Sequence, residues 1–291
     1  MPINAHPEYI EAESEYHTHT ISIVEKELVN YDGIIAVGGD GTVNEVINGI
    51  LNTSKDKLLA IVPTGTGNDL ANTFQLHLDL RKACKTLSTG VKRSVDVGYL
   101  LGKDFNNKPV KRYFGGTASF GFDAKINLDT NNSTKRLPGT WNYIRSLVKN
   151  LITIKPNRYI ISFNNLVTNR KEYLEKDLLV FVIGNGKFYG GGIMVCPDAS
   201  ITDSKFHVTF ANPISRFEVI KVFPKMYSGD HLKHPEVAVL ETDELEIKNT
   251  TKALYQVDGE VLGYTPVKIK TVPKILNVMT PKKLPNFHIK G

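Results

Sequence analysis

The sequence predicts an α/β protein of two domains, in which an N-terminal half of alternating strands and helices precedes a mostly antiparallel, β-rich domain. One observation is that residues 33–62 have the pattern of a strand, a helix and a second strand, a βαβ unit whose strands are parallel. Another is that strand-like segments follow one another from about residue 96 with two helices between them. A length of 291 residues fits two domains of ordinary size.

The elements of the first half are assigned from hydrophobic periodicity. Residues 9–16 fit a strand, and residues 20–29 have apolar positions at the spacing of a helix. The short apolar runs at 33–37 (GIIAV) and 58–62 (LLAIV) predict two buried strands. Between these two runs, five apolar residues recur at helical spacing: Val43, Val46, Ile47, Ile50 and Leu51. This order predicts a parallel sheet.

The second half is dominated by predicted strands that Gly, Asn, Asp or Pro residues separate. These strands are residues 112–120, 158–166, 178–184, 205–211, 241–248, 253–257 and 267–272. Helices are predicted near 139–153 and 215–227. The first is amphipathic, which is typical both of a helix packed on a core and of one lying on a membrane. We place the domain boundary at residue 98, giving domains 1–98 and 99–291, with the last residues packing back on the first domain.

Composition and charge exclude several classes of protein. The chain is 41% hydrophobic and 23% charged, and its longest apolar run, residues 178–183, is far shorter than the roughly 20 residues of a membrane span. The start has no signal-peptide pattern, and Cys84 and Cys196 belong to no metal or redox motif, so we expect a cytoplasmic protein. Residues 103–171 carry 13 basic and three acidic side chains, which indicates either a solvated surface or an anionic partner. No nucleic-acid-binding motif accompanies this charge, so nucleic acid is not an expected partner.

Two glycine-rich loops follow the two predicted parallel strands. Residues 38–42 (GGDGT) connect the first strand to its helix, and residues 63–69 (PTGTGND) follow the second strand. Glycines allow backbone N–H groups to approach a phosphate, and a helix N-terminus favours negative charge. Because adjacent parallel strands end at the same sheet edge, both loops are expected to open onto one crevice. The alternative for the first loop alone is a tight structural turn.

A third motif, Asp258-Gly259-Glu260, lies between two strand-like runs. Asp-Gly in this setting is a strong signal for a β-hairpin turn. A carboxylate at the end of such a turn can also serve as a general base. The residues leave both interpretations open, and the two are compatible.

Taken in order, these motifs resemble the bacterial diacylglycerol kinase and lipid kinase family, which is related to sphingosine kinases and more distantly to NAD kinases. The resemblance covers about residues 14–280, and its segments are GGDGTVNEVINGI, PTGTGNDLA, SVDVG, GNGKFYGGGIMVCPDASITDSKF and VDGE. It implies an N-terminal three-layer α/β nucleotide-binding domain, like that of NAD kinases and phosphofructokinases, followed by a mostly antiparallel β-sandwich. GGDGT is shared with NAD kinases, whereas GGDGT with NEV and then GTGND is more specific to lipid kinases.

The resemblance also implies roles for individual residues. It places ATP against Gly38, Gly39, Asp40, Gly41, Thr42, Asn44, Thr66 and Asn68. It assigns Asn68, Asp69 and Asp96 to an aspartate, water and Mg²⁺ network near the phosphates, includes Asp40 among the catalytic residues, and makes Glu260 the general base. It also implies a structural Mg²⁺ held by Asp203 and by the carbonyl groups of Ser200 and Lys205. Here Asp203 precedes Ser204 where the family usually has glycine, at a position that can require positive φ.

One departure from the family concerns the N-terminus. Relatives begin with a strand that ends in an NPxxG-like loop against ATP, and no such loop precedes Tyr9. We therefore expect the family's first strand to be missing. Either this chain is a truncated form of the protein, or its activity is weakened. Ser14 falls where relatives have a threonine near the nucleotide, so its hydroxyl is expected to remain a contact.

The function expected from these residues is an ATP- and Mg²⁺-dependent kinase of a lipid hydroxyl, with diacylglycerol as the acceptor. The alternatives are a kinase of phosphatidylglycerol or a sphingoid base, an NAD kinase, and a nucleotide- or lipid-binding protein with impaired catalysis. The lipid would be met at an anionic membrane, with the enzyme peripheral at its inner face, and a homodimer is an open alternative. The basic stretch 103–171 and the segment 139–153 would provide the membrane contact.

Overall fold

The computed structural model describes residues 8–16, 18–54, 56–131, 155–248 and 252–285. The first elements are α1 (His19–Glu27) with a 3₁₀ turn (Leu28–Asn30), β1 (Gly33–Gly38), α2 (Asp40–Thr53), β2 (Leu58–Pro63), α3 (Asp69–Thr73) and α4 (Leu80–Thr89). Strands β1 and β2 are parallel along their whole length, which confirms the predicted βαβ unit. The strand predicted at 9–16 is wrong: these residues are exposed and irregular, so no sheet or core partner supports their pattern.

The middle of the chain is built almost entirely of strands. These are β3 (Val91–Lys103), β4 (Pro109–Phe114), β5 (Thr117–Phe120), then helix α5 (Phe122–Asn131), β6 (Asn157–Asn165), β7 (Arg170–Leu178), β8 (Val180–Gly184), β9 (Phe188–Tyr189), β10 (Ile193–Met194) and β11 (Phe206–Ala211). The single strand predicted at 112–120 is in fact two strands, β4 and β5, which lie in different sheets. The helix predicted at 139–153 lies outside the described residues.

The remaining elements complete both sheets. They are α6 (Arg216–Val222), two 3₁₀ turns (Phe223–Tyr227 and Asp230–Lys233), β12 (Val237–Thr242), β13 (Glu244–Lys248), β14 (Leu254–Val257), β15 (Glu260–Tyr264) and β16 (Val267–Thr280). The Asp-Gly hairpin predicted from the sequence is confirmed, because β14 and β15 pair antiparallel with Val257 opposite Glu260.

Two sheets organise these strands. In the larger sheet the order is β1-β2-β16-β13-β6-β7, and β3 joins β16 to β4. The smaller sheet has the order β12-β11-β8-β5-β14-β15, with antiparallel pairs throughout. The predicted fold class, an N-terminal α/β half followed by an antiparallel β-sandwich, is confirmed.

The sandwich core lies between the two sheets. Rings of Phe114 and Phe206 stack across it with centroids 5.9 Å apart, and Tyr159 meets Phe181 edge to face at 5.2 Å. A second core forms where α2 packs on β1, β2, β3 and β16. Nine consecutive residues of α2, from Val43 to Leu51, are buried. This packing fixes the start of α2, and with it the first glycine-rich loop.

The last strand returns to the first half of the chain. Asn277 and Val278 of β16 pair with Leu58 and Leu59 of β2 in parallel, while the same strand pairs antiparallel with β3. Strand β3 runs continuously through residue 98, where we place the domain boundary. The exact division of the chain into domains stays a prediction. None of the helices in the described part of the chain is long and apolar enough to cross a membrane.

Candidate active site

The two glycine-rich loops meet at the carboxyl end of the parallel strands. A side chain at Gly65 would lie 2.5 Å from the Cα of Gly39, and one at Gly39 would lie 3.1 Å from the Cα of Gly65. A side chain at Gly65 would therefore collide with the backbone of the other loop, and one at Gly39 would be tightly packed against it. Gly39 is also the N-cap of α2, so no capping side chain occupies the first N–H groups of this helix. These donors remain available to an anion.

A cleft of about 690 Å³ opens beside these loops, between the first half and the β-sandwich. Its walls come from six parts of the chain: the start of α2, the second glycine loop with the start of α3, the β4–β5 connection, α5, the loop between β9 and β10, and the hairpin of β14 and β15. The carboxylates that line it are Asp40, Glu45, Asp69, Asp258 and Glu260. A cleft of this size with converging acidic groups is the strongest candidate for a binding site in the described structure.

The carboxylates of two aspartates lie close to the second glycine loop at Gly67. A side chain at Gly67 would lie 3.0 Å from Oδ2 of Asp40 and 3.6 Å from Oδ2 of Asp69. Asp40 accepts a hydrogen bond from the N–H of Leu70 at 2.8 Å. Asp69 accepts from Gly191 at 2.7 Å and from Gly192 at 2.8 Å. The two carboxylates therefore hold the glycine loop and the β9–β10 loop together at the cleft.

Their proximity affects the ionisation of Asp69. Burial is the main cause that raises the pKa of Asp69 to about 6, and the negative charge of Asp40 adds to this effect. The two N–H groups of the β9–β10 loop act in the opposite direction. All three glycines of this loop have positive φ, of 64°, 86° and 99°, a conformation that L-residues rarely adopt. A positive ion between the carboxylates would remove the repulsion.

Asp258 is a functional candidate that the sequence analysis treated as a turn residue. Its φ of 45° fits the hairpin turn, yet its carboxylate points into the cleft wall and accepts four hydrogen bonds. The donors are the N–H groups of Gly115, Gly116 and Thr117, each at 2.9 Å, and Nδ2 of Asn44 at 2.8 Å. Burial raises the pKa of Asp258 to about 6, although these donors favour the ionised form. This aspartate thus joins α2, the β4–β5 connection and the hairpin.

Glu260, the predicted general base, lines the cleft and is held by an ion pair. Its Oε1 accepts a hydrogen bond from the guanidinium of Arg112 at 2.6 Å. The side chain of Arg112 is 10% exposed and that of Glu260 is 22% exposed, so water screens the pair weakly. Arg112 lies on β4 of the larger sheet and Glu260 on β15 of the smaller one. The ion pair therefore connects the two sheets at the cleft.

A narrow apolar crevice of about 70 Å³ lies next to the cleft, and Tyr189 lines both. Its walls come from α5, strands of the smaller sheet, α6 and the following 3₁₀ turn. The apolar residues among them include Phe122, Ile126, Val180, Val195, Val219, Val222, Phe223 and Met226. A polar cleft with carboxylates thus adjoins an apolar crevice.

The predicted nucleotide-binding residues divide into three groups. Asp40, Gly41, Asn44 and Thr66 line the cleft. Gly38, Gly39 and Thr42 lie at the strand-to-helix turn beside it. The side chain of Asn68 forms hydrogen bonds within the loop: it accepts from the N–H of Gly65 and donates to the carbonyl oxygen of Gly65. Ser14 is exposed and does not line the cleft. These roles stay predictions.

Asp96 lies away from the lining of the cleft. It is fully buried, and its carboxylate accepts hydrogen bonds from the N–H groups of Ser204 at 2.6 Å and Lys274 at 2.8 Å. Its own N–H donates to the carbonyl oxygen of Ile201 at 2.7 Å. These bonds tie β3 to β16 and to the loop before β11. Membership of Asp96 in the magnesium network stays a prediction.

The structural metal ion is predicted at the turn that contains Asp203 and Ser204. Ser204 has a φ of 62°, the left-handed conformation that relatives meet with glycine. The carboxylate of Asp203 accepts from the N–H of Lys205 at 3.3 Å and lies 3.4 Å from Nε2 of His207. Among the described residues, no group of three or more His, Cys, Asp or Glu side chains is placed to hold a metal ion. A magnesium ion held by Asp203, Ser200 and Lys205 stays a prediction that depends on main-chain oxygens.

Comparison with known proteins adds to this geometry. A family model described as the diacylglycerol kinase catalytic domain matches residues 3–100, and one described as the YegS C-terminal NAD kinase beta sandwich-like domain matches residues 116–280. A diacylglycerol kinase of Mycobacterium tuberculosis is 29% identical over 252 residues, which cover 86% of this chain and 77% of the relative.

Solved structures show the same fold. The crystal structure of a diacylglycerol kinase from Bacillus anthracis superposes with a TM-score of 0.68 at 18% identity and covers 94% of this chain and 85% of that one. A yeast NADH kinase superposes with a TM-score of 0.50 at 13% identity, over 90% of this chain and 65% of that one. The fold is therefore common to these kinases and to this chain.

Proposed function

Because the chain belongs to the family that joins a diacylglycerol kinase catalytic domain to a YegS C-terminal NAD kinase beta sandwich-like domain, we propose that it is an ATP-dependent lipid kinase. It transfers the γ-phosphate of ATP to the hydroxyl of diacylglycerol, which gives phosphatidic acid. The observation that carries this proposal is the junction of the carboxylate cleft with the apolar crevice at Tyr189. A substrate with a polar hydroxyl and acyl chains matches both chemistries.

ATP would bind at the glycine-rich loops. The first N–H groups of α2 and the open space at Gly41 favour phosphate oxygens there. Thr66 and Gly67 of the second loop line the same cleft and supply further contacts. The phosphates would then lie between these loops and the hairpin that carries Glu260.

The residues present fit a magnesium ion that binds together with ATP. Mg²⁺ is usually held by one or two carboxylates and by substrate phosphates, so a full protein cage is not needed. Asp40 and Asp69, whose carboxylates both lie beside Gly67, are the residues that would hold it. The ion would supply positive charge to the phosphates, and the raised pKa of Asp69 supports a cation at this point.

Glu260 would act as the general base. Its carboxylate takes the proton of the lipid hydroxyl as the hydroxyl oxygen attacks the γ-phosphorus, and the bond to the β-phosphate oxygen breaks with ADP as leaving group. Arg112 holds this carboxylate in place through the 2.6 Å ion pair. Asp258 orders the hairpin on which Glu260 lies, because it accepts the N–H groups of the β4–β5 connection.

The acyl chains of the lipid would enter the apolar crevice. Its small volume fits part of one acyl chain. A peripheral position at the inner face of the membrane is part of this proposal, since the substrate resides in the bilayer.

The test is product identification after incubation with labelled ATP and magnesium. Diacylglycerol, phosphatidylglycerol, a sphingoid base and NAD are offered in parallel, with the Glu260→Gln variant as the matched control. We expect labelled phosphatidic acid from the wild type and at least about 100-fold less from the variant. Label in another acceptor would reassign the substrate, and ATP binding without any product would contradict a kinase.

A further inference from the structure

Helix α6 has apolar residues on its outer as well as its inner side. Val219 and Val222 face the apolar crevice. Phe217 is 78% exposed and Ile220 is 56% exposed, and no residue of the helix is buried. Water therefore contacts two large apolar side chains on an element that forms the wall of the proposed lipid site.

The position of this helix is well defined. A capping box starts it: the side chain of Ser215 accepts from the N–H of Glu218, and the carboxylate of Glu218 accepts from the N–H of Ser215. At its other end, Phe223 and Met226 of the next turn pack against the cluster that contains Tyr189. Both ends are thus fixed, so Phe217 and Ile220 are held outward beside the crevice.

The charges around this face are mainly positive. Arg216, Lys221 and Lys225 are all exposed, and the carboxylate of Glu218 is used by the capping box. Exposed aromatic and aliphatic side chains flanked by basic residues are typical of helices that lie in the surface of a membrane. The basic residues complement an anionic headgroup layer, and the apolar residues complement the acyl region below it.

We propose that α6 is a membrane-docking element that inserts Phe217 and Ile220 into the surface of an anionic lipid bilayer. Docking in this way turns the crevice towards the membrane that holds the lipid substrate. The inference rests on the proposed function for its biological meaning, but the docking itself can be measured without any phosphoryl transfer.

The experiment measures binding of the full chain to vesicles by flotation, with pure phosphatidylcholine or with phosphatidylcholine and about one third phosphatidylglycerol. The apolar variant is Phe217→Ser with Ile220→Ser. The matched control is Val167→Ser with Tyr173→Ser, which removes two comparably exposed apolar residues from the turn and strand after β6. A charge variant replaces Arg216, Lys221 and Lys225 by glutamine. Residues 139–153 are unchanged in all of them.

We expect the apolar variant to bind anionic vesicles at least about tenfold more weakly, and the control variant to bind like the wild type. The charge variant is expected to show a smaller preference for phosphatidylglycerol than the wild type. Each substitution lies on an exposed side chain, so melting temperatures should agree with the wild type. Equal vesicle binding by the apolar variant and the wild type would overturn the proposal, as would an equal loss in the control.

A second measurement separates this inference from the proposed function. Short-chain diacylglycerol in detergent micelles does not require docking on a bilayer, so the apolar variant should phosphorylate it at the rate of the wild type. On vesicles its rate should fall with its binding. If the wild type binds anionic vesicles through α6 but phosphorylates no diacylglycerol in either form, docking stands and the proposed function fails. If the wild type phosphorylates diacylglycerol but does not bind vesicles, docking fails and the proposed function stands.

Discussion

Removing Arg112 tests whether the ion pair at the cleft controls the base. Arg112→Met removes the guanidinium, so the carboxylate of Glu260 loses this donor. It also removes the Nε of Arg112, which is buried without a hydrogen-bond partner. A hydrogen bond between charged groups contributes about 1.5–3 kcal/mol, and each 1.36 kcal/mol corresponds to a tenfold change in rate. If the hydrogen bond contributes this whole free energy to stabilising the transition state, its loss lowers kcat by about 10- to 150-fold.

A double-mutant cycle tests whether Arg112 affects kcat through Glu260. Glu260→Gln alone should lower kcat by about 100-fold or more, since the amide cannot take the proton. If Arg112 acts through Glu260, adding Arg112→Met to Glu260→Gln should cost almost nothing further. The KM for ATP should stay constant in all three variants, because neither residue lies on the glycine-rich loops. Arg112→Lys should recover part of the rate, because it restores the charge without the planar fork.

The assay is steady-state kinetics on diacylglycerol micelles at saturating magnesium, with thermal unfolding of each variant. Arg158→Met is the matched control, because Arg158 pairs with Glu175 at 2.9 Å where both side chains are about half exposed. It should leave kcat unchanged. Additive losses in the double variant, or an increase in the KM for ATP at unchanged kcat, would refute a role of Arg112 through Glu260.

Three further predictions concern the aspartates. Asp40→Ala should abolish phosphoryl transfer while denaturant unfolding shows a loss of about 1 kcal/mol, since one hydrogen bond from Leu70 is removed; turnover at the wild-type rate would exclude Asp40 from the site. Because the pKa of Asp69 is raised to about 6, above its unfolded value, ionisation opposes folding, and unfolding free energy should fall by up to about 3 kcal/mol as pH rises from about 4 to above 6. Asp69→Asn should remove this contribution and leave the similar one of Asp258, whose pKa is also raised to about 6, and an unchanged slope would contradict the assignment. Asp203→Ala should lower activity with partial rescue by raised magnesium, and a magnesium dependence identical to that of the wild type would argue against a metal there.

The glycine-rich loops could be predicted because their signal is local. Strand, loop and helix follow directly in sequence, and parallel pairing of β1 with β2 places Gly38 opposite Pro63, so that the two loops begin side by side. The contact of Gly39 with Gly65 then follows from the topology. The hairpin at Asp258 was predictable for the same reason, since two residues define its turn.

The partners of the acidic groups could not be predicted, because they come from distant parts of the chain. Arg112 lies 148 residues before Glu260, and no periodic pattern connects the two. The donors to Asp258 arise where Gly115 and Gly116 divide one apparent strand into β4 and β5 of different sheets. Apolar composition shows that residues 112–120 are extended, but it does not show where the chain changes sheet.

The prediction of a strand at 9–16 failed for a related reason. The composition of a strand indicates that a segment can pair, whereas a strand forms only where a neighbour supplies hydrogen bonds and a core takes up its side chains. Residues 8–16 have neither in the structure, and Glu15 instead donates its N–H to the ring of His19.

The return of β16 to the first sheet has a consequence for how the protein is made. Asn277 and Val278 pair with β2, more than 200 residues earlier in the chain, so the sheet of the first half lacks an interior strand until β16 has been synthesised. Long-range pairing of this kind carries a large loop-closure entropy and slows folding. The emerging first half would therefore remain on the ribosome with β2 and β3 unjoined, and a nascent chain that stops before β16 should not bind ATP. Completion of this sheet and formation of the proposed ATP site would then be one event, rather than two successive ones.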